Sequence, residues 1–233
     1  MAVEAPGALI GAGRNADVYD IGGGRVLRRY RDGRDPRGVE LQAQVMRHAR
    51  AYGAPVPEVF EVSGPDIVME RADGPTMLEA LGRRPWTLRG QARLLARLHH
   101  LVHQVPVIPG LRTVGGDEDG VGNGLVLVHR DLHPQNVILT PTGPLIIDWE
   151  GAANAPAVYD VALTWAILGF SDVPDEGPQA IVMRSLQALF TRAFVRAAGP
   201  IGQTWRAMAV RQRLADPNTL PTERARLERF PHG

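Results

Sequence analysis

The chain has 233 residues, 44% of them hydrophobic and 22% charged, with a formal net charge of +1. Such a composition excludes a disordered chain, and the length provides a real core in one large domain or two small lobes. The near-zero charge gives no reason to expect a nucleic-acid partner.

No run of about eighteen apolar residues occurs, so no membrane span is expected. The start, MAVEAPGALIGAGRN, lacks the basic and apolar regions of a signal peptide, which predicts a cytoplasmic protein. Cysteine is absent, which removes disulfides, thiolate metal sites and a cysteine nucleophile. Lysine is absent too, so all 26 basic residues counted are arginine. No Schiff-base lysine or unmodified Walker A loop can exist. Codon bias in a GC-rich genome accounts for this more simply than selection at every site.

Residues 8–30 read as a hairpin turning at Gly22-Gly23-Gly24. The second strand, RVLRRY, places Val26 and Arg28 on one face and Leu27 and Arg29 on the other. RDGRDPRG reads as a polar turn. A helix follows over residues 39–52, stopped by Gly53, Pro55 and Pro57. Two strands flank the Ser63-Gly64-Pro65 turn. Thr76 is placed to cap a short helix, and Thr87 to begin a longer one. That longer helix turns Leu88, Ala92, Leu95, Leu98 or His99, and Val102 inward. Residues 106–124 read as an exposed loop. LVLVHRDLHPQNVILT then gives strand, polar loop and strand, and LIIDWE a further strand. Helices dominate from Ala157 onward.

The chemistry concentrates in His129-Arg130-Asp131-Leu132-His133-Pro134-Gln135-Asn136 and in Ile147-Asp148-Trp149-Glu150. A turn between the flanking strands brings Asn136 and Asp148 to one end of a hairpin. Two carboxylates and an amide oxygen there are hard ligands suited to magnesium. Phosphoryl transfer needs one carboxylate to orient the attacking hydroxyl, and a carboxylate with an asparagine to hold the metal. Asp131 fits the first role; Asn136 and Asp148 fit the second.

HRDLHPQNVIL followed by IIDWE resembles the aminoglycoside phosphotransferase and choline kinase family. His133-Pro134 and Trp149-Glu150 favour that family over protein kinases. The resemblance implies an α+β, two-lobed, protein-kinase-like fold. A strand-rich N-lobe would span residues 1–72 and a mainly helical C-lobe residues 73–233. It implies ATP or GTP with Mg2+ as cofactors, and a small-molecule hydroxyl as acceptor.

By the same resemblance Gly13, Arg14, Asn15 and Ala16 belong to the loop over the phosphates. Arg28 stands where the family carries a strand lysine, with Arg29 as its rival. Glu40 is the candidate helix partner of Arg28, or Gln42 or Gln44 takes that register. Met69 would line the adenine pocket, with backbone groups of Glu70 and Ala72 at the hinge. His133 would touch phosphate or brace the loop, and Asp160 would support it from a helix start.

Three further features are open to other uses. His99 and His103 have the i, i+4 spacing of a zinc pair, but HHLVH lacks the metalloprotease glutamate, so His99 is expected in the core. Asp117-Glu118-Asp119 could draw a cationic substrate or be a solvated loop. Arginines of the last helices could bind an anion or keep the helices soluble. The rival to a kinase is a nucleotide-binding pseudokinase serving as a regulatory module.

Overall fold

A computed structural model describes residues 7–13, 15–31, 35–115, 124–172 and 178–230. The N-terminal part is a five-stranded antiparallel sheet ordered β1-β2-β3-β5-β4. Its strands are β1 (Ala8–Ala12), β2 (Ala16–Gly22), β3 (Arg25–Tyr30), β4 (Val59–Ser63) and β5 (Asp66–Glu70). Gly22, Gly23 and Gly24 all have positive φ, at 78°, 61° and 71°. Only glycine takes three such residues in succession without strain, which explains the triplet.

Helix α1 (Pro36–Ala51) crosses from β3 to β4 and lies against β4 and β5. It starts earlier than its apolar periodicity suggests. The Asp35 carboxylate accepts from the Arg37 N–H at 2.9 Å, and Pro36 fills the first helical position. A capping aspartate before a proline outweighed the polar look of RDGRDPRG.

The C-terminal part is mostly helical. It holds α2 (Met77–Arg83), α3 (Leu88–His103), α4 (Ala157–Phe170), α5 (Pro178–Ala198), α6 (Gln203–Ala215) and α7 (Pro221–Leu227). Thr76 and Glu79 form a reciprocal capping box at the start of α2. Thr87 does not cap α3 through its side chain, which instead donates to Arg84 O at 2.7 Å. Leu88, Ala92, Leu95, Leu98, His99 and Val102 of α3 are all buried, so both alternatives at the fourth turn face inward. Helix α4 is apolar on all sides and runs through the centre, touching α5 and α6.

Four short strands complete this part as two pairs: β7 (Val137–Thr140) with β8 (Gly143–Ile146), and β6 (Leu125–Val128) with β9 (Ala153–Pro156). Strand β8 ends at Ile146, so Asp148-Trp149-Glu150 lies on a turn beyond it. Strand β9 has no apolar signature of its own; ANAP is a strand because β6 supplies its ladder. The 106–124 stretch is not simply exposed: Leu111 is buried, and Asn154 of β9 binds Ile108 and Leu111 through their backbone. Among the described residues no helix is long and apolar enough to cross a membrane.

The two parts are sewn together by backbone contacts. Ile146 N–H donates to Pro55 O at 2.7 Å across the two parts, and just past the boundary Leu139 N–H donates to Pro75 O at 2.9 Å. A Cβ at Gly74 would stand 2.1 Å from Leu139 O, so the chain can pass only with glycine there.

Leu27 is completely buried in the central strand β3. Leu27→Ala is expected to lower unfolding free energy by about 2–5 kcal/mol in denaturant titration. Trp86→Ala, at a side chain 77% exposed, is expected to change it by under about 0.5 kcal/mol.

Candidate active site

The loop from His129 to Asn136 joins β6 to β7 and is held from below by one carboxylate. Asp160, in the first turn of α4, is fully buried. Its oxygens accept from the backbone N–H of Arg130 at 2.6 Å and of His129 at 3.4 Å. His103 Nε2 lies 2.9 Å and His99 Nδ1 3.3 Å from the same carboxylate. Burial works against the charge, but the hydrogen bonds from His103 and His99 outweigh it and hold the Asp160 carboxyl well below its ordinary value. Thr164 Oγ1 donates to Leu132 O at 2.9 Å and lies 3.0 Å from His99 Nε2. His99 is therefore a core residue built into the support of the loop.

Within the loop Arg130 has φ 71°, a left-handed value that costs a non-glycine residue about 1–3 kcal/mol. The amide bond to Asp160 holds it there. His129 is buried, Nε2 facing Ile147 O at 3.0 Å and Nδ1 accepting from Asp131 N–H at 3.3 Å. Burial first of all pushes its pKa down, which keeps it neutral in this bridging role.

Asn136 and Asp148 come together as the hairpin predicts. Val137 pairs with Ile146, and Ile147 N–H donates to Asn136 O at 3.0 Å. Asn136 Nδ2 donates to Asp131 O at 2.8 Å and to Asp131 Oδ2 at 3.1 Å. These bonds orient the amide and leave its Oδ1 without a hydrogen bond among the described residues. Asp148 also has a left-handed backbone, φ 66°. Its Oδ1 meets Arg28, its Oδ2 has no such partner, and its side chain is 42% exposed. Asn136 Oδ1 and Asp148 Oδ2 are thus two uncommitted hard oxygens, the donor type magnesium takes.

Asp131 is the accessible carboxylate beside them. Burial would raise its pKa, yet His133, then His129 and Arg213, hold it below the ordinary carboxylate value. His133 Nε2 lies 3.5 Å from Asp131 Oδ1, and its Nδ1 accepts from Gln135 N–H at 3.3 Å. Of its two expected uses, bracing the loop is the one this geometry serves.

The strand arginine points at the same place. Arg28 Nη2 meets Asp148 Oδ1 at 2.9 Å and Glu150 Oε1 at 3.0 Å. Burial opposes its charge, but Tyr30, Asp148 and Glu150 together raise its pKa. Arg29 is turned away onto Asp66 in a two-point contact, 2.8 Å at each nitrogen.

The expected Arg28–Glu40 pair does not form. Glu40 faces outward on α1, 3.4 Å from Gln44 Nε2 and 3.8 Å from Arg47 Nη1. Of the three candidates Gln42 is the one that turns inward; it accepts from the Tyr30 hydroxyl, and the Tyr30 ring lies against Arg28. Glu150 takes the place expected of Glu40. Its second oxygen accepts from Asn15 Nδ2 at 3.1 Å, tying the β1–β2 loop to the same turn. Sequence reading passed over Glu150 as part of a motif; its position two residues past Asp148 was the available signal.

Gly13 N–H donates to Ala16 O at 2.9 Å, and a Cβ on Gly13 would stand 2.8 Å from that oxygen. The β1–β2 turn therefore needs its glycine. Arg14 lies outside the described residues, as does the Asp117–Asp119 run. Met69 is buried in the sheet between Val26 and Val59. The Glu70 N–H is already committed to Glu58 O at 2.8 Å, and its carboxylate to Arg50 and Glu58 N–H. Ala72 is half-buried just beyond β5.

Asp160→Asn is expected to cost about 2–3 kcal/mol at neutral pH, since it weakens charge-assisted bonds. The depressed Asp160 pKa supplies stability above the ordinary carboxylate value near 4, and that stability is lost as pH falls toward the folded value. Unfolding free energies should therefore show a constant gap between wild type and variant from pH 7 to about pH 4, narrowing below. A gap that stays constant into strong acid would refute this role.

Comparison with known proteins follows the same lines. The model of the phosphotransferase enzyme family matches residues 7–115 and 122–210. No curated protein matches the chain. Solved structures with the same fold include a choline/ethanolamine kinase family protein from Mesorhizobium loti, 18% identical, TM-score 0.59, covering 97% of this chain and 88% of that one. Another is the aminoglycoside phosphotransferase APH(3″)-Id from Streptomyces rimosus, 16% identical, TM-score 0.59, covering 83% and 87%. A third is a thermostable mutant of the aminoglycoside phosphotransferase APH(4)-Ia in complex with AMP-PNP and hygromycin B, 17% identical, TM-score 0.60, covering 95% and 90%. These structural likenesses show the fold, kinase-like with a strand-rich sheet and a mostly helical part. The match over most of the chain places it in the phosphotransferase enzyme family.

Proposed function

We propose that the chain transfers the γ-phosphate of ATP, or of GTP, to a hydroxyl of a small molecule in the cytoplasm. The observation that carries this reading is the pair of open oxygens, Asn136 Oδ1 and Asp148 Oδ2, beside the ionised Asp131 and across from Arg28. Neighbours bound to AMP-PNP or described as kinases support it.

Each residue has one task. Asn136 and Asp148 hold Mg2+, which when bound neutralises phosphate charge. Arg28 grips the phosphate oxygens, and the glycine-bearing turn between β1 and β2 closes over them. Asp131 accepts a hydrogen bond from the acceptor hydroxyl and aims its oxygen at the γ-phosphorus. As the new P–O bond forms, the bond from that phosphorus to the bridging oxygen breaks, ADP leaves, and the hydroxyl proton passes to Asp131. A carboxylate held below its ordinary pKa is a weak base, so its contribution is chiefly orientation and charge.

Glu150 holds Arg28 in this reading. In place of a carboxylate on the helix, the cation is positioned from the turn that follows Asp148. The Arg28–Asp148 contact must then be shared with the metal. A second reading, a nucleotide-binding pseudokinase, draws on the arginine in place of lysine and on the absent Arg28–Glu40 pair. Turnover separates the two.

With Mg2+ and ATP at a hundredfold excess over Kd, the folded state should gain about 2.7 kcal/mol, read as a rise in melting temperature. Asp148→Asn should remove the magnesium-dependent part of that rise. Asp131→Asn should keep it while lowering kcat on any accepted alcohol by about 10²–10⁴-fold. Full nucleotide binding with no phosphate transfer across an acceptor panel would favour the pseudokinase.

A further inference from the structure

Two arginines converge beside the 129–136 loop without a carboxylate between them. Arg130 Nη1 and Arg112 Nη2 both donate to the single carbonyl of Gly151, each at 3.1 Å. Neither forms an ion pair among the described residues. Arg130 also keeps its Nε buried without a hydrogen-bond partner. A backbone carbonyl offers two lone pairs and no net charge, so it satisfies two N–H groups without neutralising either cation. Partial burial, and then the nearby Arg130, push the pKa of Arg112 down from its ordinary value.

The surroundings fix where an anion would lie. Gly151 is packed against the loop: a Cβ there would stand 3.2 Å from His129 O. It follows Glu150, whose carboxylate meets Arg28 on the same turn. Arg130 directly precedes Asp131. A third arginine, Arg213 of α6, acts on Asp131 through its charge but is already bracketed by Glu223 at 2.6 Å and Asp216 at 3.2 Å. The Tyr159 side chain lies near Arg112. Among the described residues Arg112 and Arg130 are thus two cations without an ion-pair partner, gathered on the Gly151 carbonyl at the start of the loop that carries Asp131.

We propose that Arg112 and Arg130 form a binding site for a compact oxyanion beside Asp131, and that it takes the carboxylate or phosphate carried by the acceptor itself. The assignment to the acceptor rests on the phosphotransferase reading; the anion site does not. Guanidinium forks recognise both groups by paired N–H donation, so the shared chemistry is a planar or tetrahedral oxyanion. The acceptor class that follows is a hydroxy acid or a phosphorylated polyol, in contrast to a cationic amino sugar or amino alcohol.

The first test uses the full chain without nucleotide. Melting temperatures of wild type, Arg112→Gln, Arg130→Gln and Arg28→Gln are compared in inorganic phosphate and in chloride at matched ionic strength. Phosphate at a hundredfold excess over Kd should raise the wild-type value by about 5–10 °C. Arg112→Gln and Arg130→Gln should lose most of that rise, and Arg28→Gln should keep it. Phosphate also stabilises folded proteins by exclusion from their surfaces, but that part is common to all four proteins. An equal rise in all four overturns the site. A loss confined to Arg28→Gln places the ion in the nucleotide grip and overturns it too. Arg112 is exposed, so its variant decides the matter even if Arg130→Gln fails to fold.

The second test measures turnover with Mg2+ and ATP on hydroxy acids and sugar phosphates against their uncharged counterparts. A preference of tenfold or more in kcat/KM for the anionic acceptors, lost in Arg112→Gln, supports the assignment. Turnover of uncharged acceptors alone, with phosphate still bound at the two arginines, assigns the site to a free ion and overturns the acceptor claim. No turnover and no nucleotide-induced stabilisation would end the phosphotransferase reading and the acceptor claim together. The phosphate comparison would still decide whether the anion site exists.

Discussion

One buried carboxylate organises the functional half of this molecule. Asp160 accepts from the backbone of His129 and Arg130 and faces His99 and His103. A charge so deep is tolerable only when all its lone pairs are used. Meeting that demand fixes the start of the 129–136 loop in a conformation a free chain avoids, with Arg130 left-handed. Asp131 then emerges at a set angle from β6, and Asn136 can reach back to its backbone and carboxylate. Ligand atoms of His99, His103 and Asp160 lie within 4.8 Å of one another, a grouping compatible with a metal. Their bonds to the loop and to Thr164 explain them as its scaffold.

Across the cleft a second electrostatic arrangement joins the two parts. Arg28 is drawn from the middle of β3 to Asp148 and Glu150, and Asn15 joins the same glutamate. The cation is therefore positioned by the part of the chain that also presents the metal-type oxygens. Helix α1 contributes no carboxylate; through Gln42 and Tyr30 it supports Arg28 by contact rather than by charge. Movement of α1 alone would not release the arginine, whereas separation of the sheet from the 149–151 turn would.

Much of this was legible in the chain. Apolar periodicity located α3 and the β4–β5 hairpin because those residues pack in the pattern that defines the element. Asp131, Asn136 and Asp148 could be grouped because a short hairpin fixes their distance. The start of α1, strand β9 and the end of β8 were not legible. Each is decided by a cap, a partner strand or a turn, and none of these leaves a periodic trace. The Glu40 expectation failed for a related reason: helical register on α1 was ambiguous by a residue, and one residue turns a side chain by 100°. Adjacent Arg28 and Arg29 were told apart only by what stands opposite each face, Asp148 and Glu150 for one and Asp66 for the other.

By itself the sequence determined which chemistry is available: no thiol, no lysine amine, two carboxylates and an asparagine at the spacing of a phosphoryl-transfer site, and arginine as the sole strong cation. Local chain geometry suffices for that, since the groups lie within one strand–loop–hairpin unit. Tertiary structure decided which charges meet. Arg28 and Glu150 are 122 residues apart, and Arg112 and Gly151 are 39 apart. Whether such groups touch depends on the packing of sheet against helices, because an electrostatic contact is set by distance in space and carries no period along the chain.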